Sequence, residues 1–256
     1  MSILQKTSLI TEQILTALTN ADKEILFQMY YIHDDTIFAK YVSIFIQKAK
    51  QGVSIHCLFD ALGANQIRGS ITEKILLDAG VHIQYFNWLT PWAAKNKHIL
   101  YFRNHKRALI IDKVSVHIGG WCIGEKTEHW IDGYISTTDP QTVQKSTQDF
   151  WNMYTYAHKT QIRFKHEARY TYTPTDFMSY TYQAPMIRGR YISYNHKKLM
   201  RSATKRIVLV SPYFAPVYTL KRALHSAKKK GVVAEIFLPK KTDIHTADLV
   251  AQTYVY

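Results

Sequence analysis

The stretch NHKRALIIDKVSVHIGGW, Asn104 to Trp121, sets a histidine and an arginine two residues apart at the head of an apolar run. The run ends on Asp112, and a glycine pair, Gly119-Gly120, follows. In extended chain alternate side chains share a side, so His105 and Arg107 point the same way. An imidazole beside a permanent cation suits attack on an anionic phosphodiester. The cation holds the phosphoryl oxygens while the imidazole attacks phosphorus or moves a proton. The glycine pair lets backbone come close to a ligand.

Side chains of this kind need a rigid frame, and the flanking sequence predicts one. LITEQILTALTNA has apolar residues at helical spacing: Leu9, Ile10, Ile14, Leu15 and Leu18. EILFQMYYI, Glu24 to Ile32, reads as a buried strand. TIFAKYVSIFIQKAKQG reads as a helix with Ile37, Tyr41, Val42, Phe45 and Ala49 on one face and Gly52 as its stop. VSIHCLFD is the next strand, ITEKILLDAG the next helix and VHIQYF the strand after it. RALIID is strand-like too. Strands alternating with helices predict an α/β fold, a mixed and largely parallel sheet flanked by helices.

The pattern then breaks and returns. Ala157 to Pro185 is rich in Tyr, Thr, Lys and Arg with two prolines, and is expected to be an irregular connector. Beyond it, ATKRIVLVSPYF from Ala203 echoes ADKEILFQMYYI from Ala21, and KKGVVAEIFLP from Lys229 echoes KQGVSIHCLFD from Lys50. The two matches have nearly the same offset, about 180 residues, the mark of an internal repeat. The expected domains are therefore 1–156, a connector over 157–185, and an incomplete second copy over 186–256. A second copy of His105 would lie beyond Tyr256, so the expectation is a truncated or split second unit.

Composition sets the outer bounds. A hydrophobic content of 46% fits a folded protein. No apolar run approaches the roughly 20 residues of a membrane span, and the opening MSILQKTSLITEQ is too polar for a secretory signal. The expected location is cytoplasmic, peripheral to a membrane. Two cysteines, Cys57 and Cys122, make neither a disulfide framework nor a zinc pattern. The net charge of +14 favours a polyanionic partner, an anionic lipid surface or nucleic acid. His56 and His82, each in a predicted strand, read as structural. The loop NWLTPWAAK reads either as a membrane-facing segment or as a cap on the core.

The residues from His105 onward resemble the phospholipase D superfamily, whose signature is HxKxxxxD followed by GSxN or GGxN. HKRALIID matches at His105 and Asp112, with Arg107 in the lysine position. GGWC matches at Gly119 and Gly120, with Cys122 in the asparagine position. Within the superfamily the likeness is to bacterial cardiolipin synthases: RNHKRALIIDKVSVHIGGWCIGE, WID at Trp130 to Asp132, DALG at Asp60 and SPYFAP fall in the right order. The resemblance implies a phosphatidyltransferase acting through a phosphohistidine, with no metal and no cofactor. One histidine attacks the phosphodiester. A second protonates the leaving alcohol and then activates the incoming one. With phosphatidylglycerol as donor and acceptor, the product is cardiolipin.

Carried over by position, His105 is the nucleophile or its acid/base partner, and Arg107 holds phosphate with Gly119, Gly120 and Cys122. Asp112 supports the motif, and Asp132 matches the acid that orients the histidine of the opposite repeat. Three departures weaken the match. Arginine is longer than lysine, a thiol is a weak donor beside an amide, and a second histidine motif is missing. HKKLMRSA from His196 has Ala203 where aspartate is required, and it falls in an expected helix. A second copy of the chain in a homodimer is one source of the second histidine, a missing half another. The alternatives are a nuclease of the same superfamily, with nucleic acid the less favoured partner, and a non-catalytic protein that binds anionic phospholipid.

Overall fold

Strand β2 (Glu24–Met29) alternates its side chains between two hydrophobic clusters. Ile25, Phe27 and Met29 enter one, and Leu26 enters the other. β3 (Ser54–Asp60) repeats the pattern with Ile55, Cys57 and Phe59 on the first side and Leu58 on the second. Period-two alternation with apolar residues on both sides is what a strand covered on both faces requires. The computed structural model describes residues 4–87, 102–158, 169–175, 178–185 and 191–240, with 242, 246, 249–251 and 253. The apolar loop from Trp88 to Trp92 lies outside the described residues.

β2, β3 and β4 (His82–Phe86) are parallel, joined through α2 (Thr36–Lys50) and α3 (Ile71–Asp78) as the alternating pattern predicts. Asp35 caps α2 by accepting from the backbone N–H of Ile37 and Phe38 at 3.0 and 3.3 Å. Gly52 ends the same helix in a left-handed turn, φ +86°. Ser70 caps α3, accepting from the Glu73 N–H at 3.1 Å. α1 (Thr7–Thr19) lies with α2 on the first face, burying Ile10, Ile14 and Leu18.

The other half of the sheet is antiparallel, and it carries the motif. β5 (Ala108–Ile111) pairs with β2 on one edge and with β6 (Ser115–Gly119) on the other. β7 (Ile131–Thr137) and the short β1 (Leu4–Lys6) complete a seven-stranded sheet in the order β1-β7-β6-β5-β2-β3-β4. The tight turn from β5 to β6 allows only antiparallel pairing, because a parallel neighbour needs a long crossover. The sheet is therefore mixed, and its parallel part is β2 to β4.

The second face is covered by α4 (Pro140–His158), with Val143, Phe150 and Met153 in the core. The connector is not wholly irregular: β8 (Arg169–Thr175) and β9 (Met178–Gln183) pair as an antiparallel hairpin. Alternating Tyr and Thr favour strands, and this preference outweighs the proline at position 174. Tyr182 and Ala184 join the second cluster.

That hairpin seals Lys106. Its ammonium sits 3.4 Å from the Tyr182 ring centroid, buried and without a hydrogen-bond partner among the described residues. Burial lowers its pKa to about 7, with Asp149 opposing the shift. An unfolded lysine binds its proton up to a pH of about 10.4, so folding is penalised below that pH and fully so below about 7. Lys106→Met is expected to raise the melting temperature at pH 7, with a gain of about 1–3 kcal/mol. Thermal unfolding scans should show the gain shrinking as pH rises towards 10.

Residues 188–256 form a separate compact unit. It contains α5 (Tyr191–Ser202), β10 (Arg206–Val210), α6 (Tyr218–Lys229) and β11 (Val233–Phe237). β10 and β11 are parallel, with Arg206 opposite Val233, as Glu24 stands opposite Ser54 in the first unit. The order helix, strand, helix, strand is that of α1-β2-α2-β3. The His196 run lies in α5, as expected of it.

Candidate active site

His105 and Arg107 occupy the extended segment just before β5 and not the strand itself. They still share a side. The His105 ring stacks on Tyr30 at 3.6 Å between centroids and 21° between planes. The Arg107 guanidinium carbon lies 5.5 Å from the centroid of the same tyrosine. Tyr30 follows β2, so the pairing of β2 with β5 brings the three side chains together. Lys106, between the two, faces the opposite side of the sheet and lies against Tyr182.

Arg107 is held at both ends of its fork. Nη1 donates to the His105 carbonyl at 3.1 Å, and Nη2 donates to the Cys122 sulfur at 3.4 Å. Cys122 is buried, in the loop that follows β6. Burial pushes the His105 pKa down. Arg107 and Arg103 add to the shift and Asp60 opposes it. The imidazole therefore keeps its free electron pair to a lower pH than an ordinary histidine does.

Asp132, at the start of β7, completes the cluster. Its carboxyl is pushed up by burial, against the Arg107 charge and the Thr7 hydroxyl, which donates to it at 3.4 Å. The glycine pair is explained by this strand. A Cβ on Gly119 would strike the Gly133 carbonyl, and one on Gly120 would strike the Asp132 carboxylate. Neither glycine has a positive φ. Their role visible in the protein is to let β7 and its acid lie close.

Asp112 is elsewhere. It sits at the opposite end of β5 in a left-handed conformation, φ 53°. Its carboxylate accepts from the backbone N–H of Asp22, Lys23 and Glu24 at 2.9, 2.7 and 2.7 Å. Burial raises its pKa, but these three bonds and Lys23 outweigh it and the net shift is downward. Asp112 thus ties β5 to the start of β2 and does not face His105.

Asp60, at the end of β3, is fully buried. It accepts from Arg103 Nε at 3.1 Å and from the Asn104 N–H at 2.8 Å, which anchors the segment leading into His105. Tyr30, Asp60, Arg103 and Thr7 had no assigned role in the sequence reading. DALG marked the position of Asp60 but not its partners, and aromatic stacking across strands leaves no local pattern.

Residues 14–154 match the family model described as cardiolipin synthase, PLD-like domain. The chain belongs to this family. Its relatives include cardiolipin synthase A of Pseudomonas syringae pv. syringae strain B728a, 26% identical over 258 residues, which covers 95% of this chain and 51% of the relative. The major cardiolipin synthase ClsA of Bacillus subtilis strain 168 is 27% identical over 243 residues, 91% of this chain and 49% of the relative. The chain spans about half the length of these relatives. Phosphatidylserine synthase from Haemophilus influenzae Rd KW20 shares the fold, with a TM-score of 0.66 at 15% identity over 99% of this chain and 67% of that one. In this PLD-like domain the motif strands form the antiparallel half of the sheet. No helix among the described residues is long and apolar enough to cross a membrane.

Proposed function

We propose that this PLD-like chain carries one half of a phosphatidyltransferase site of the cardiolipin synthase type. The observation that carries the reading is the convergence of the His105 imidazole and the Arg107 guanidinium on Tyr30. A neutral imidazole nitrogen attacks phosphorus, and the P–O bond to the leaving alcohol breaks. A second imidazole protonates that alcohol. The same group then takes the proton of an incoming alcohol, which attacks phosphorus and breaks the P–N bond. Arg107 balances the phosphoryl charge, the loop from Gly119 to Cys122 borders the phosphate, and Asp132 orients a histidine of the opposing motif. That motif comes from the other half of a longer molecule or from a second copy. The substrate class is anionic phospholipid, phosphatidylglycerol first, met at a membrane surface.

Incubation with vesicles containing phosphatidylglycerol tests this. The expected results are cardiolipin, and an acid-labile phosphoryl label on the protein that is lost in His105→Ala. Neither product nor label, with the dimer or with the complementing half supplied, removes the reading.

One contact favours weaker catalysis. The Cys122 thiol occupies an arm of the Arg107 fork where the family has an amide donor. Removing a transition-state donor costs about a hundredfold or more. Cys122→Asn is accordingly expected to raise turnover about tenfold or more, measured as kcat on phosphatidylglycerol. A non-catalytic lipid-binding role predicts no gain.

A further inference from the structure

The charge of this chain is not spread evenly. Residues 188–256 contain 14 Lys and Arg against three Asp and Glu, so they carry +11 of the net +14. The helices α5 and α6 contain no acidic residue at all. Their apolar sides meet in one cluster, with Met200 from α5 and Ala223 and Ala227 from α6 packed on Ile207 and Val232. The opposite sides of both helices therefore point away from β10.

Those outer sides share a pattern. On α6, Tyr218, Arg222, His225 and Lys229 are all exposed at spacings of four, three and four, which is one helical stripe. On α5, Tyr194, Lys198 and Arg201 form the matching stripe, also exposed. Tyr218 is 72% exposed and Tyr194 57%. Each tyrosine carries a cation at its ring: Arg222 at 5.9 Å from Tyr218 and Lys197 at 5.8 Å from Tyr194. An open depression of about 320 Å³ on α5 is lined by Tyr194, Lys197, Lys198, Arg201 and Ser202. The first repeat provides an internal comparison. α1 holds Glu12 and neither Lys nor Arg. In α2, Lys48 is buried on the Ala21 carbonyl at 2.8 Å, so its exposed cations are Lys40 and Lys50, against Lys221, Arg222, Lys228 and Lys229 on α6. The fold itself does not require a basic outer face.

We propose that the outer face of α5 and α6 docks on an anionic phospholipid bilayer, with the α5 depression taking a phosphodiester head group. The choice of lipid over another polyanion rests on the phosphatidyltransferase reading and on the exposed rings. Tyrosine settles at the level of the head groups, and basic side chains near a negative leaflet each add binding energy that salt screens. Leu199, 66% exposed on the flank of α5, adds an apolar contact that a nucleic acid would not use.

Co-sedimentation tests the proposal, with vesicles of phosphatidylcholine alone and of an equimolar mixture with phosphatidylglycerol. The protein is expected to bind the mixture and not the neutral vesicles, with an affinity that falls as salt rises. Replacing Lys198, Arg201, Arg222 and Lys229 together with glutamine should weaken binding about a hundredfold or more. A control replaces Lys40, Lys50, Lys74 and Lys126, exposed residues of the first unit, with glutamine and makes the same change in net charge. It should bind within about threefold of the native protein. Equal losses in both variants, or no loss in the first, overturn the proposal. So does binding of duplex DNA, but not of vesicles, that the first variant abolishes. Turnover of a water-soluble short-chain phosphatidylglycerol separates this proposal from the catalytic one. The first variant should keep that turnover, and His105→Ala should keep vesicle binding. Binding without turnover in any arrangement sinks the catalytic reading and leaves the docking face standing.

Discussion

Replacing His105 with alanine should lower phosphodiester turnover by about a thousandfold or more and leave the protein folded. Tyr30 covers one face of the half-buried ring, and that stack is its close contact. Losing such a stack costs about 0.5–1.5 kcal/mol, too little to unfold a domain with two large hydrophobic clusters. Melting temperature and turnover should therefore separate, and the protein-bound phosphoryl label should vanish. The acid limb of kcat/KM carries a second signature. Burial and Arg107 hold the imidazole below its ordinary pKa, so the native limb should lie below the usual histidine value of about 6.5. Arg107→Gln removes one cause of that depression. The limb should then move up in pH, in addition to any loss of phosphate binding. A limb that stays in place would mean that another group sets it.

The pair His105 and Arg107 was legible because its signal is local. Two residues apart in extended chain fixes a shared side, whatever the sheet does. The frame was legible for a similar reason: the alternation in β2 and β3 and the helix stops at Gly52 and Gly80 are written within a few residues. What could not be read depends on contacts between distant segments. Tyr30 meets His105 only because β2 and β5 are antiparallel neighbours, and no local signal in either segment sets that long-range pairing. The glycine pair was expected to admit a ligand, yet the close approach it permits is that of Gly133 and Asp132. Asp112 has the spacing of a site residue, but its carboxylate serves the backbone at the start of β2. The β8–β9 hairpin was hidden by Pro174 and by the basic run that precedes it, although its tyrosines alternate as a strand demands.

Asp60→Ala is expected to be the most destabilising single change in the first unit, at about 3–5 kcal/mol. One oxygen of the carboxylate accepts from the N–H of Leu62 and Gly63 at 2.9 and 3.2 Å. The other accepts from Arg103 Nε and the Asn104 N–H. Alanine would take the counter-charge from a guanidinium that is 14% exposed, leaving it bonds to the Phe86 and Asn87 carbonyls, and leave three backbone donors without their acceptor. The same carboxylate joins the two segments that meet at the site. Gly63 lies against the Tyr30 carbonyl, so close that a Cβ there would collide with it, while Asn104 precedes His105. Chemical denaturation should show the stability loss directly. The effect on catalysis needs a different variant, because an unfolded protein says nothing about positioning. Asp60→Leu combined with Arg103→Met removes both charges and replaces them with apolar volume, which for a buried pair is often close to neutral in stability. That double variant should regain most of the lost stability and still turn over slowly, since the Asn104 N–H that precedes His105 then lacks its acceptor. If turnover returned with stability, the ion pair would serve the core alone, and His105 would owe its placement to the Tyr30 stack and to β5.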